Sequence, residues 1–333
     1  VPIDRFELIA PSGASVAVLS LGATLADVRV PDAEGRLADV VLGYDELAAY
    51  ERGDAFLGAL VGRVAGRIGG AVARLDGRDL RFAANDGRNH LHGGPGGFHR
   101  QPWTAVPGEW DDGAAEVLLT RVSPDGEEGY PGRLDVQVRY VWTPDHRLGV
   151  LAEATTDAPT LVNLAQHTYF NLSGDADVLS HRLAIHADAY TPVDEDRIPT
   201  GAVVPVADTP YDFRKSRPIR RKNGGGPVDY DINYAVSDES VSSPRPVARL
   251  ESPRQDIAVD VASTEPGLQF YDGCMMKPIP VPGLDGRRYD IYGGCCLEPQ
   301  CYPDSPNHPG FPSAVLRPGV TYRQTTRYVF SRP

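Results

Sequence analysis

Period-two alternation of apolar and polar positions dominates the regular parts of the chain. It is clearest where Leu134, Val136, Val138, Tyr140 and Trp142 alternate with Asp135, Gln137, Arg139 and Val141. Successive strand side chains point to opposite faces, so this segment predicts a strand with one face buried. Ile257, Val259 and Val261 repeat the pattern, and Tyr322, Gln324, Thr326, Tyr328 and Phe330 repeat it less cleanly near the end. Asp-Gly pairs begin at positions 76, 86, 112, 125, 272 and 285. Asp-Gly suits the positive backbone angles of tight hairpin turns, so Ala71 to Phe82, centred on Asp76-Gly77, reads as a hairpin. Helical signals are few; Asp45 to Arg52 predicts a turn or two, with Asp45 as the N-cap. These elements predict an all-β protein: a large antiparallel β-sandwich with few short helices, closed near its C-terminus by an added strand.

Composition supports that reading. The 35 glycines and 30 prolines are scattered without a three-residue period, which excludes collagen and penalises long helices. No composition break, linker or fixed repeat divides the chain, so residues 1–333 are expected to form a single domain. The net charge of −12 attracts neither phosphate backbones nor anionic lipid, and the longest basic cluster, Arg217 to Lys222, is short. Neither nucleic acid nor a membrane is therefore an expected partner. The start, Val1-Pro2-Ile3-Asp4-Arg5, lacks the basic-then-apolar layout of a secretion signal. Cys274, Cys295, Cys296 and Cys301 contain no CxxC spacing; a zinc site would need spaced ligand pairs, with His308 as a fourth ligand beside three of them, whereas reduced thiols suit a cytoplasmic protein. No metal is expected.

Polar clusters narrow the chemistry. No GxSxG elbow, no GxxxxGK[ST] phosphate loop and no helix-opening GxGxxG is present, so Ser hydrolysis, nucleotide hydrolysis and hydride transfer lose support. His92 precedes Gly93-Gly94, which permits a sharp turn presenting the imidazole at a surface, either as a loop histidine on a carbonyl or as a functional group. His167, among apolar and aromatic neighbours, is a partly buried core histidine or a catalyst. Glu298 follows the small and apolar run from Gly293 to Leu297. It is either ion-paired, with Arg67 as the candidate partner, or functional, because isolated buried charge is costly. Asp231, between Tyr230 and Tyr234, has the setting of a carboxylate that holds sugar hydroxyls beside a stacking ring. What remains is cofactor-free proton transfer on a polyhydroxylated ligand, or simple ligand binding.

In chain order, Leu21 to Leu25, Asp39 to Tyr44, Gly62 to Ile68, Leu91 to Gly94, Ser123 to Gly132, Asn163 to Leu172, Tyr211 to Arg214, Gly267 to Tyr271 and Leu297 to Gln300 resemble the aldose 1-epimerase (galactose mutarotase) family over nearly the full length. The resemblance implies the galactose mutarotase-like sandwich and interconversion of the α and β anomers of free aldohexoses such as galactose and glucose, without cofactor. By motif it implies Glu298 as general base on the anomeric hydroxyl and His167 as general acid on the ring oxygen. His92 would bond the developing charge, with Arg67, Asp231 and Gln269 on the remaining hydroxyls. The implied partner is a small aldose, and the protein is expected as a monomer or homodimer. Two departures stand out: Gly66 and Gln166 occupy positions where the family usually carries asparagine. They motivate a non-catalytic sugar-binding protein as an alternative. A hexose-6-phosphate 1-epimerase is the other, and it would need Arg63, Arg88 or Arg100 at the pocket.

Overall fold

A computed structural model describes residues 2–109, 111–220 and 228–332. Val1 of the starting segment, and Arg221 and Lys222 of the basic cluster, lie outside the described residues. Among the described residues, every named strand pairs antiparallel. Nine strands form one sheet in the spatial order Thr104–Glu109, Ala115–Ser123, Leu134–Trp142, Arg147–Thr156, Tyr322–Ser331, Ala258–Ser263, Arg245–Glu251, Arg182–Ile185 and Arg217–Pro218. A six-stranded sheet follows the order Tyr169–Phe170, Cys295–Gln300, Gly267–Tyr271, Asp231–Ala235, Ala189–Thr191 and Val204–Pro205. Val138, Tyr140 and Leu148 of the first sheet and Ile232, Leu268, Phe270 and Leu297 of the second belong to one apolar core. The expected antiparallel sandwich is the observed one. The last strand, however, does not close an edge. Tyr322–Ser331 lies inside the large sheet, paired with Arg147–Thr156 on one side and Ala258–Ser263 on the other, so it joins early and late halves of the chain.

The alternating segment Leu134–Trp142 is a strand over those same residues, with the apolar set buried. Val72–Leu75 and Arg78–Arg81 form the expected hairpin, and Asp76 and Gly77 both take positive φ (49° and 79°). The helix is shorter than predicted, Leu47–Arg52, and Glu46 occupies its N-cap without a side-chain bond. Asp45 instead accepts the amides of Asp285 and Gly286, each at 3.3 Å, tying the helix entry to a distant turn. Among the described residues no helix is long and apolar enough to cross a membrane.

Candidate active site

The six-stranded sheet positions most of the polar cluster. Alternate residues of a strand share a face, so Asp231 and Asn233, Gln269, and Cys296, Glu298 and Gln300 stand together on three adjacent strands. The register places Gln269 opposite both Asn233 and Glu298. The same alternation sends Tyr230 and Tyr234 to the core face, where they are buried, so neither stacks on a ligand beside Asp231. His167 arrives from a separate short strand, Ala165–His167, paired with Ala59–Val61. His92 sits in a turn, with φ +51, followed by Gly93 at φ +82. A Cβ on Gly93 would fall 1.8 Å from the Gly62 carbonyl oxygen, so only glycine permits this approach.

These elements enclose a cavity of about 710 Å³, lined by Arg67, His92, His167, Asp231, Gln269 and Glu298 among others. The structure thus brings together all six residues singled out in the sequence. His92 is buried against the pocket rather than held at a surface, and His167 is buried more completely than its neighbours suggest. Arg67 does not pair with Glu298. Its Nε donates to Asp86 at 2.7 Å and its Nη1 to Asp231 at 3.2 Å. Asp231 also faces Arg197 at 3.5 Å and accepts from Gln269 Nε2 at 2.7 Å.

Among the described residues Glu298 therefore keeps no ionic partner except His167, whose Nε2 lies 4.0 Å from its Oε2. That Oε2 is buried and has no hydrogen-bond partner among the described residues. Burial, and then the charge of Asp231, push the Glu298 carboxyl well above its ordinary range. Burial pulls the His167 imidazole down to about 4. His92 is held well below its usual value by burial, then by the charges of His167 and Arg67. His92 Nδ1 accepts the Gly66 backbone N–H at 3.2 Å, so in the neutral ring the proton sits on Nε2. His167 Nδ1 lies 3.6 Å from Cys296 Sγ. Burial keeps that thiol protonated. The thiol faces Nδ1, and Nε2 faces Glu298. Phe56 stacks on His167 with ring centroids 5.6 Å apart and meets His92 edge-on at 4.9 Å, fixing both rings.

The positions that set off suspicion in the sequence resolve differently. Gly66 adopts φ +73, the left-handed region that glycine and asparagine share. Gln166 turns away from the pocket: it accepts from Tyr140 Oη at 2.6 Å and donates to the Gly58 carbonyl. It is not among the residues that line the cavity. Of the cysteines, Cys301 bonds Ser305 Oγ and the Pro312 carbonyl, each at 3.2 Å, and His308 Nε2 faces Asp304 at 3.1 Å, so neither belongs to a shared metal cluster. The described group that could hold a cation is His167, Cys296 and Glu298, whose ligand atoms lie within 4.8 Å of one another. Arg197, Asn233, Cys296, Gln300 and Phe56 were not singled out as site residues; all but Cys296 line the cavity itself.

A family model described as aldose 1-epimerase matches residues 4–329. The chain belongs to the aldose 1-epimerase family. It is 39% identical over 332 residues to the galactose mutarotase of Bos taurus, covering 99% of this chain and 94% of that protein. It is 36% identical to the aldose 1-epimerase of Escherichia coli K12, covering 96% and 92%. Among solved structures, an aldose epimerase homologue from C. elegans superposes with a TM-score of 0.91 at 30% identity, covering 99% of each chain. Galactose 1-epimerase from Lactobacillus acidophilus gives 0.83 at 28%, covering 99% and 98%. The aldose 1-epimerase fold is thus kept along the whole sandwich, and the cavity described above sits on its six-stranded sheet.

Proposed function

We propose that this cavity interconverts the α and β anomers of free aldohexoses such as galactose and glucose, with Glu298 as base and His167 as acid. The reading is carried by the buried, unpartnered Oε2 of Glu298, set 4.0 Å from His167 Nε2 in the cavity. The relatives support the reaction, and the geometry is consistent with these roles. Glu298 takes the proton of the C1 hydroxyl, the O1–C1 bond becomes a carbonyl, and the C1–O5 bond breaks. The electron pair of that bond goes to O5, which takes a proton from His167. Rotation about C1–C2 turns the other carbonyl face toward O5. On closure His167 recovers its proton, O5 attacks C1, and O1 takes its proton back from Glu298. Nothing is consumed. His92, neutral and protonated on Nε2, donates to the charge developing at the ring oxygen or the anomeric oxygen, while Arg67, Asp231 and Gln269 hold other hydroxyls.

The working form needs an ionised Glu298 and a protonated His167, whereas burial favours the neutral form of each. Both forms hold the same single proton, moved across the 4.0 Å gap. Sugar hydroxyls donating to Glu298 stabilise its anion and so favour the working form. An acid and a base placed in this way each contribute roughly 10²–10⁴-fold.

Other features support the same reading. Residues 1–333 act as one domain, built on a core shared by both sheets. The four cysteines are free, three of them buried, which suits a reducing, cytoplasmic compartment. The active unit is a monomer or homodimer, and a net charge of −12 suits a neutral sugar better than an anionic one. The hexose-6-phosphate alternative loses the arginines it rested on. Arg63 is buried on Ser123 Oγ at 2.8 Å, Arg88 meets Asp196 at 2.7 Å, and Arg100 meets Asp54 at 2.6 Å. Polarimetry of freshly dissolved α-D-glucose and α-D-galactose tests the function. Accelerated mutarotation of either sugar supports it, and the buffer rate for both refutes it.

A further inference from the structure

Gln300 ends the strand that carries Glu298, on the same face, and has no part in the chemistry above. Its side chain is almost fully buried, at 1% exposure, yet lines the cavity. Neither Nε2 nor Oε1 has a hydrogen-bond partner among the described residues. Buried amides are ordinarily paired, so one left open at both ends beside a ligand pocket is set for a ligand. Two glycines lie near this residue. Gly267 lies opposite Gln300 in the register. With no side chain there, Asn233 Oδ1 reaches within 2.4 Å of the point a Gly267 Cβ would occupy, and that oxygen is also unpartnered. Across the pocket, a Cβ on Gly66 would come within 3.6 Å of Gln300 Nε2. The absence of a side chain at Gly66 leaves the approach to the amide open.

A primary amide donates through nitrogen and accepts through oxygen, which matches a hydroxyl group that does both. Glu298 is committed to the hydroxyl on C1, and residues two apart on a strand are separated by roughly 6.5 Å. Gln300 therefore reaches a different part of the ring. We propose that Gln300 is a sugar-binding residue that holds a pyranose hydroxyl other than the one on C1, supplying the contact that Gly66 has no side chain to make. The inference rests on the reading of the ligand as an aldose, but not on the acid–base roles.

The test compares wild type with Gln300→Ala on galactose and its 2-, 3-, 4- and 6-deoxy analogues. Calorimetry gives Kd and polarimetry gives kcat and KM. The variant is expected to weaken binding of galactose roughly 3- to 10-fold, the range of an uncharged hydrogen bond, with kcat changed less than KM. For one deoxy sugar, the one lacking the partner hydroxyl, wild type and variant should bind alike, because the two deletions remove the same contact. Equal losses on every sugar, or an unchanged Kd for galactose, would overturn the proposal. A wild type that binds sugars with the expected Gln300 pattern but leaves mutarotation at the buffer rate would refute the catalytic reading and leave this one standing.

Discussion

Replacing Arg67 with methionine removes the cation that ties two carboxylates together at the pocket wall. The side chains of Arg67 and Asp231 are 13% and 11% exposed, so the pair is screened little by water. Deleting one member of a buried pair can cost about 3–5 kcal/mol of stability. Here Asp231 keeps Arg197 at 3.5 Å and Gln269 at 2.7 Å, which places the loss below that range, at about 1–3 kcal/mol. The larger effect is on turnover. A charged donor to a sugar hydroxyl contributes about 1.5–3 kcal/mol, which converts to a fall in kcat/KM of roughly 10- to 150-fold. A second signature follows from charge. Asp231 already helps to raise the Glu298 carboxyl, and without Arg67 its anion is less neutralised, so Glu298 should rise further. The acidic limb of kcat/KM should then move to higher pH. Polarimetric rates on galactose across pH, with thermal unfolding as a control, read both effects. A variant that folds but shows wild-type kcat/KM and an unmoved acidic limb would refute this account of Arg67.

Three other perturbations separate parts of the structure. Burial, and then the charge of Asp27, lift the Asp39 carboxyl from 3.8 to about 8, so its contribution to stability is complete below 3.8 and is lost as pH rises through about 8. Asp39→Asn should flatten that decline and stabilise the alkaline protein by on the order of a few kcal/mol, as read by denaturant unfolding across pH; an unchanged profile contradicts it. Cys296→Ala should lower kcat about fivefold with KM little moved and shift the His167 ring-nitrogen resonances, whereas Cys296→Ser should retain both; wild-type resonances in the alanine variant contradict the thiol's role. Gly93→Ala should cost more than about 2 kcal/mol, because its Cβ meets the Gly62 carbonyl and its φ is left-handed; an unchanged melting temperature contradicts it.

The parts of this protein that could be read from sequence are those set by local pattern. The strand Leu134–Trp142 and the hairpin around Asp76-Gly77 depend on alternation and turn chemistry, and both stand where the pattern puts them. Where a partner from elsewhere in the chain decides, local reading fails. Asp45 looks like a helix cap but bonds a turn 240 residues away. Tyr230 and Tyr234 look like a sugar platform, yet strand alternation opposes them to Asp231 and buries them in the core. Glu298 invites pairing with Arg67, but the fold gives Arg67 to Asp86 and Asp231. Five of the six candidate site residues were legible because they fall in blocks whose order resembles a family; Asp231 lies outside those blocks and stood out by its place between Tyr230 and Tyr234. Gln300 ends one of those blocks without standing out as a site residue, Asn233 lies outside them, and their shared face depends on strand register.

The central claim is that Glu298 removes the anomeric proton while other residues bind the sugar. Glu298→Gln keeps the shape and removes the base. Galactose binding by calorimetry should remain near the wild-type value, and polarimetric kcat should fall roughly 10²–10⁴-fold. A folded Glu298→Gln protein that binds galactose and turns it over at the wild-type rate would contradict the account.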